Sequence, residues 1–194
     1  MTVKLIEHSS FAPILEAAGI CRNSGNQQQA LMHALKAGHK SLLEQMIFSF
    51  KIEDISRVLT HQFVRHRIAS FAQQSQRHCK IDIHSIDWYI APATAVPLFH
   101  TAMQALGQSY LNCIEQGMPM EDARYLLPNG TKSKMIVTMN ASSLDNFFKL
   151  RCCKRAQWEI RALANEMLFL CDSVAPQLFG TYPDCANCKE PCNG

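Results

Sequence analysis

Residues 46–52 read MIFSFKI, and their pattern decides the class of fold. Phe48, Phe50 and Ile52 fall on one side of an extended chain and Ser49 and Lys51 on the other, the period-two alternation of a half-buried strand. Upstream, VKLIEHS at 3–9 is a shorter strand candidate, and downstream KMIVTMN at 134–140 is strand-like. Asn26 with Gln29 three residues on resembles a capping box, predicting a helix through Leu31, Leu35 and Ala37 that Gly38 ends. Asp54 is expected to cap a helix that carries Ile55, Val58, Leu59 and Phe63 into the core. Phe99, Met103, Leu106, Tyr110 and Ile114 follow helical spacing until Gly117 and Pro119, and MEDARYLL forms a short helix closing at Pro128. Ser143 is expected to cap one long helix from about Leu144 to Cys171, with Ala156, Ile160, Leu163, Met167 and Leu170 on its buried stripe.

Helices and strands are mixed here without regular alternation. That argues against a doubly wound parallel sheet and for an α+β fold, a single domain whose mainly antiparallel central sheet is flanked by helices. The domain is expected to span residues 1–183, followed by a cysteine-containing tail at 184–194.

Composition narrows the class. The 194 residues suffice for one domain with a real core, and 47% hydrophobic with 18% charged residues is ordinary for a globular protein. A net charge of +3 is too weak for a general nucleic-acid or membrane binder, so positive charge is a local property. No apolar run approaches the ~20 residues that cross a bilayer, and MTVKLIEHSSF lacks the regions of a signal peptide. A cytoplasmic protein is expected, with Cys21, Cys79, Cys113, Cys152, Cys153 and Cys171 as reduced thiols. The tail CANCKEPC spaces Cys185, Cys188 and Cys192 as three ligands of a zinc site would be, but it offers no clear fourth ligand, and no metal is expected.

The chemistry concentrates in RHRIASFAQQSQRHC, residues 65–79, which holds three arginines, two histidines and no acid. The nearest carboxylates along the chain are Asp54 and Asp82, so this stretch is poised for an anion. A basic nucleic-acid patch would be expected to interleave more aromatics than Phe63 and Phe71. Ser75 near two histidines could suggest acyl transfer, yet no nucleophile-elbow glycines surround it.

Five segments in order, GHKSLLEQ (38–45), QFVRHRIASFAQQSQR (62–77), EDARYLLP (121–128), TMNASSLDNF (138–147) and LRCCKRAQWEIR (150–161), resemble the flavin-dependent thymidylate synthase family. The family hallmark, an Arg-His-Arg triplet followed by seven residues and a serine, is Arg65-His66-Arg67 and Ser75 here. The resemblance implies FAD as cofactor, with Ser41, Arg65, His66, Arg67, Gln73, Asn140 and Asn146 at flavin-contact positions and His39 and Glu44 near the flavin. It implies dUMP as substrate, with Gln62, Arg65, Gln74, Ser75, Arg77, Arg124 and Arg151 at nucleotide-contact positions. It further implies methylenetetrahydrofolate as one-carbon donor, NADPH as reductant, and a homotetramer with shared sites. His78, Gln73, Ser142 and Arg155 depart from residues common in the family at their positions. On the expected long helix, Phe147, Phe148, Arg155 and Trp158 lie three or four residues from one another or from Arg151, predicting an aromatic-flanked wall that holds the Arg151 guanidinium partly out of water to activate dUMP.

Overall fold

The computed structural model describes residues 1–85 and 87–179; the cysteine tail lies outside the described residues. In chain order the elements are β1 (Thr2–His8), α1 (Ala12–Arg22), α2 (Gln27–Lys36), β2 (Ile47–Ser56), α3 (Arg57–Phe63), β3 (Ser70–Gln73), α4 (Pro97–Glu115), α5 (Met120–Ala123), β4 (Lys132–Asn140), α6 (Ala141–Arg151) and α7 (Trp158–Val174). The strands form one sheet in the order β1-β2-β4-β3, antiparallel at every pairing. This is the expected α+β fold.

The alternation in β2 does what its spacing predicts. Phe48, Phe50 and Ile52 are fully buried, opposite Met139, Val137 and Met135 of β4, and each such side chain contributes about 1.5–3 kcal/mol by leaving water. Their face meets Leu31, Leu43, Leu144, Phe147, Phe148, Leu163 and Met167 from the helical layer in one core. A second cluster, around Trp88, Tyr89, Met103, Tyr110 and Leu111, lies beneath α4. Gly107 permits that close approach: a Cβ there would sit 2.5 Å from Ile83 Cγ2 and 2.9 Å from Trp88 Cζ2.

Three local expectations are corrected. Asp54 caps no helix; it is part of β2 with φ of 57°, at a bulge between Ile52 and Ile55, and its carboxylate faces Lys132 Nζ at 3.4 Å. The cap of α3 is Ser56, whose Oγ accepts from Leu59 N at 3.0 Å. Ser143 does not cap α6 either: Asn140 does, its Oδ1 accepting from Ser143 N at 2.8 Å.

The expected long helix is also two helices, α6 and α7, separated by residues 152–157. The break has specific causes. The Gln157 side chain accepts from Glu159 N and Ile160 N and starts α7 afresh, while Arg161 Nη1 donates to Lys154 O at 2.7 Å across the turn. Glu159 is buried with its carboxylate on Ser56, accepting from Ser56 N at 2.7 Å and from Ser56 Oγ. Pairing a buried carboxylate this way fixes the entry of α7 against the start of α3. Among the described residues no helix is long and apolar enough to cross a membrane.

Candidate functional site

The helix α3 is short because its hydrogen bonds close on themselves. Val64 N reaches Thr60 O, Arg65 N reaches Gln62 O, and His66 N reaches Phe63 O. The chain therefore turns at Val64 and casts Arg65-His66-Arg67 away from the core, while Phe63 stays buried beneath it. On the facing side, the Asn140 cap directs α6 so that Ser142, Ser143, Asn146, Leu150 and Arg151 approach the same space. Together with Arg65, His66, Arg67 and Ile68 these residues line a cavity of about 440 Å³.

Its electrostatics centre on His66 and Arg151. Arg151 Nε donates to His66 Nε2 at 3.3 Å, and the imidazole stands edge-on to Phe147, with ring centroids 4.9 Å apart at 87°. Burial, reinforced by the Arg151 charge, lowers the His66 pKa to about 4. His66 is thus a neutral imidazole with Nε2 as acceptor at neutral pH. Arg65 and Arg67 are exposed, and among the described residues neither has a carboxylate at ion-pairing distance. The cavity therefore presents three guanidiniums and two serine hydroxyls, a donor set suited to phosphate oxygens, beside the apolar side chains of Ile68 and Leu150.

The segment bearing His39, Ser41 and Glu44 is tethered next to this cavity. Ser41–Gln45 is a 3₁₀ turn, and the buried carboxylate of Asp145 on α6 accepts from Lys40 Nζ and, at 2.7 Å, from Lys149 Nζ. Asp145 carried no signal in the sequence beyond its four-residue spacing to Lys149.

Other expected site residues lie elsewhere. Gln73 and Asn140 do not line the cavity: Gln73 Nε2 donates to Thr60 Oγ1 and Ser133 Oγ, both at 3.1 Å, and Asn140 is occupied as the helix cap. Gln62 is half-buried at the end of α3. Gln74 borders a separate polar cavity with Lys80, Lys132 and Lys134. Ser75 Oγ accepts from Arg77 N at 3.1 Å, and Arg77 pairs with Glu121 at 2.8 Å. Arg124 lines a third cavity with Arg57 and His61. Sequence reasoning missed these last two, although Arg57 and His61 are four residues apart, on one face of α3.

The wall expected around Arg151 is also different. Phe147 and Phe148 are fully buried below it, but Arg155 lies within the break and Trp158 past it, where Trp158 is 44% exposed. Arg151 is partly withdrawn from water by His66, not by an aromatic row. Cys152 and Cys153 on the turn are in no disulfide, and burial raises the Cys152 pKa to about 11, which removes the thiolate that Cys152 would need as a nucleophile.

The architecture is that of an α+β protein, and its acid-poor cleft carries donors of the kind that suit phosphate and other anionic groups. The chain belongs to the family described as thymidylate synthase complementing protein, Thy1, whose model matches residues 4–177. It is 49% identical over 150 residues to a flavin-dependent thymidylate synthase of Geobacter sulfurreducens, covering 75% of this chain and 65% of the relative. A flavin-dependent thymidylate synthase of Sulfurisphaera tokodaii is 46% identical over 159 residues, 78% of this chain and 59% of the relative. The match thus spans less than two thirds of the length of these relatives. Among solved structures, thymidylate synthase X of Helicobacter pylori, determined with FAD and dUMP, superposes with a TM-score of 0.78 at 22% identity, over 92% of this chain and 97% of that one.

Proposed function

We propose that the protein is a flavin-dependent thymidylate synthase, converting dUMP to dTMP with methylenetetrahydrofolate as one-carbon donor and NADPH as the source of reducing equivalents. The observation that carries this reading is the convergence of Arg65, His66 and Arg67 with Ser142, Ser143, Asn146 and Arg151, segments some eighty residues apart, around one acid-free cavity. The donor set fits FAD: the Arg65 and Arg67 guanidiniums, without carboxylate partners among the described residues, for its phosphates, and Ile68 and Leu150 beside them for an apolar ring. When bound, FAD supplies hydride chemistry that no side chain can.

The remaining work is binding and polarisation by the chain. Arg65 and Arg67 hold phosphate oxygens, Asn146 and the segment His39–Glu44 border the flavin, and Gln62, Gln74, Ser75, Arg77 and Arg124 hold the nucleotide. Arg151 faces the pyrimidine, where a fixed guanidinium stabilises charge that develops on the ring as carbon 5 attacks. Neutral His66 accepts from Arg151 Nε and so orients it without competing for the anion.

These residues are divided among separate surfaces of one chain. That division supports a homotetramer in which sites combine surfaces of different subunits. Residues 1–183 are read as the catalytic unit, acting in the cytoplasm, with 184–194 dispensable. The test is the absorption spectrum of the purified protein with FAD, followed by dTMP formation from dUMP, methylenetetrahydrofolate and NADPH. A protein that neither takes up FAD nor forms dTMP would overturn the assignment.

A further inference from the structure

Asp145 is a carboxylate on the side of α6 that otherwise carries the core. Its neighbours there, Ala141, Leu144 and Phe148, are fully buried and apolar, and Asp145 is itself only 8% exposed. Burying an anion is unfavourable unless cations compensate it. Two do so here: Lys149 Nζ, one helical turn on, donates to Oδ2 at 2.7 Å, and Lys40 Nζ, 105 residues away in sequence, donates to the same oxygen. An apolar residue at this position would hold α6 to the core equally well, so the specific effect of the carboxylate is to fix Lys40.

Lys40 stands between His39 and Ser41. The turn Ser41–Gln45 is anchored from below, because Leu42 and Leu43 are buried in the core and Met46 O accepts from Ala141 N at 2.8 Å. Its outer side has no such anchor. His39, Ser41 and Glu44 are exposed, and among the described residues their side chains make no hydrogen bond or ion pair. Lys40 is thus the side chain that ties this outer side to α6. The attachment point borders the cavity: Ser142, Asp145, Asn146 and Lys149 share one face of the helix, three or four residues apart, and Ser142 and Asn146 line the cavity itself.

We infer that Asp145 is a positioning residue: acting through Lys40, it fixes the outer side of residues 39–44 against the cavity lined by α6 and thereby sets the affinity for the flavin. Neutralising Asp145 leaves two ammoniums within about 5.5 Å of each other, twice the length of a charged hydrogen bond, and drives Lys40 and its turn away from α6. The ligand is FAD on the reading proposed above, and the inference rests on that reading for the ligand alone.

The test compares full-length wild type, Asp145→Asn, Lys40→Met and the charge-reversed pair Lys40→Glu with Asp145→Lys. Each is titrated with FAD well below its melting temperature, and amide hydrogen exchange is followed at residues 39–45. Each single variant should lose FAD affinity by about 10-fold, the low end for a charged hydrogen bond because both lysines are nearly half-exposed, and should exchange faster at 39–45. The charge-reversed pair, in which a carboxylate at 40 faces two ammoniums, should return to within about threefold of wild type. A purely structural Asp145 would instead lower the melting temperature and leave the FAD affinity of the folded protein unmoved. Lys40→Met alters a nearly half-exposed side chain and carries the comparison should Asp145→Asn fail to fold. Unchanged FAD affinity in the folded single variants, or no recovery in the charge-reversed pair, would overturn the inference. Should wild type take up no FAD, the flavin reading fails by itself; exchange at 39–45 that quickens in the single variants and slows again in the pair would still uphold the positioning role, and unaltered exchange would refute it.

Discussion

Acidification should break the centre of the site through one side chain, His66. In the folded protein its pKa is about 4, lowered by burial and then by Arg151, whereas in the unfolded chain it titrates near 6.5. Between these values the unfolded state binds more protons than the folded one, so stability rises with pH. The contribution is complete above about pH 6.5, is lost progressively as pH falls toward 4, and changes little below that. Full burial would make the loss about 3 kcal/mol; His66 is only half-buried, and solvent screening reduces the expectation to roughly 2 kcal/mol.

The structural event is specific. A protonated imidazole has no acceptor at Nε2, so the bond from Arg151 Nε is lost and two cations face each other. Carboxylates elsewhere also titrate in this range, so the informative quantity is a difference. Urea unfolding of wild type and His66→Gln, at one protein concentration between pH 4 and 7.5, isolates it, because glutamine keeps a neutral acceptor for Arg151. The variant should lose about 2 kcal/mol less than wild type across the window. Parallel pH profiles for the two proteins, or a His66 imidazole resonance titrating near 6.5, would refute the assignment of a neutral histidine.

Two further outcomes follow from the same geometry. Arg151→Ala should fold and take up FAD while single-turnover dTMP formation with pre-reduced flavin falls by roughly 100-fold or more, and Arg151→Lys should restore little, since a point charge does not reproduce a planar fork; near-normal turnover would remove Arg151 from ring activation. Gly107→Ala should lower the melting temperature by about 2–4 °C, because the clash with Ile83 and Trp88 outweighs the ~1 kcal/mol gained in helix propensity; a higher melting temperature in a thermal scan would contradict the close packing under α4.

Much of the architecture could be read locally. Strands β2 and β4 announce themselves because their buried and exposed residues alternate, and the helix α4 because its apolar residues recur with helical spacing. The edge strand β3 could not be read this way: four residues, Ser70–Gln73, lie inside a stretch dominated by arginine and glutamine, and pairing with β4 is what makes them a strand. Asp54 has a capping side chain but sits two residues too early, since the bulge in β2 absorbs it and leaves Ser56 at the helix start. The apolar period runs unbroken through residues 152–157, so only the Gln157 cap and the distant Glu159–Ser56 contact reveal that α6 and α7 are separate.

The site divides along the same line. Residue types and spacing by themselves determined that 65–79 is an acid-free cationic stretch and, through five motifs, to which family it is similar. Tertiary structure alone decided which cations stand together: Arg77 is neutralised by Glu121 from a segment 44 residues away, Arg65 and Arg67 have no carboxylate at ion-pairing distance among the described residues, and Arg57 is brought against Arg124. It also decided that His66 is neutral. The physical reason is range: hydrophobic periodicity is a property of neighbouring residues on one element, whereas charge compensation and desolvation depend on every group within several ångströms, whatever its place in the chain.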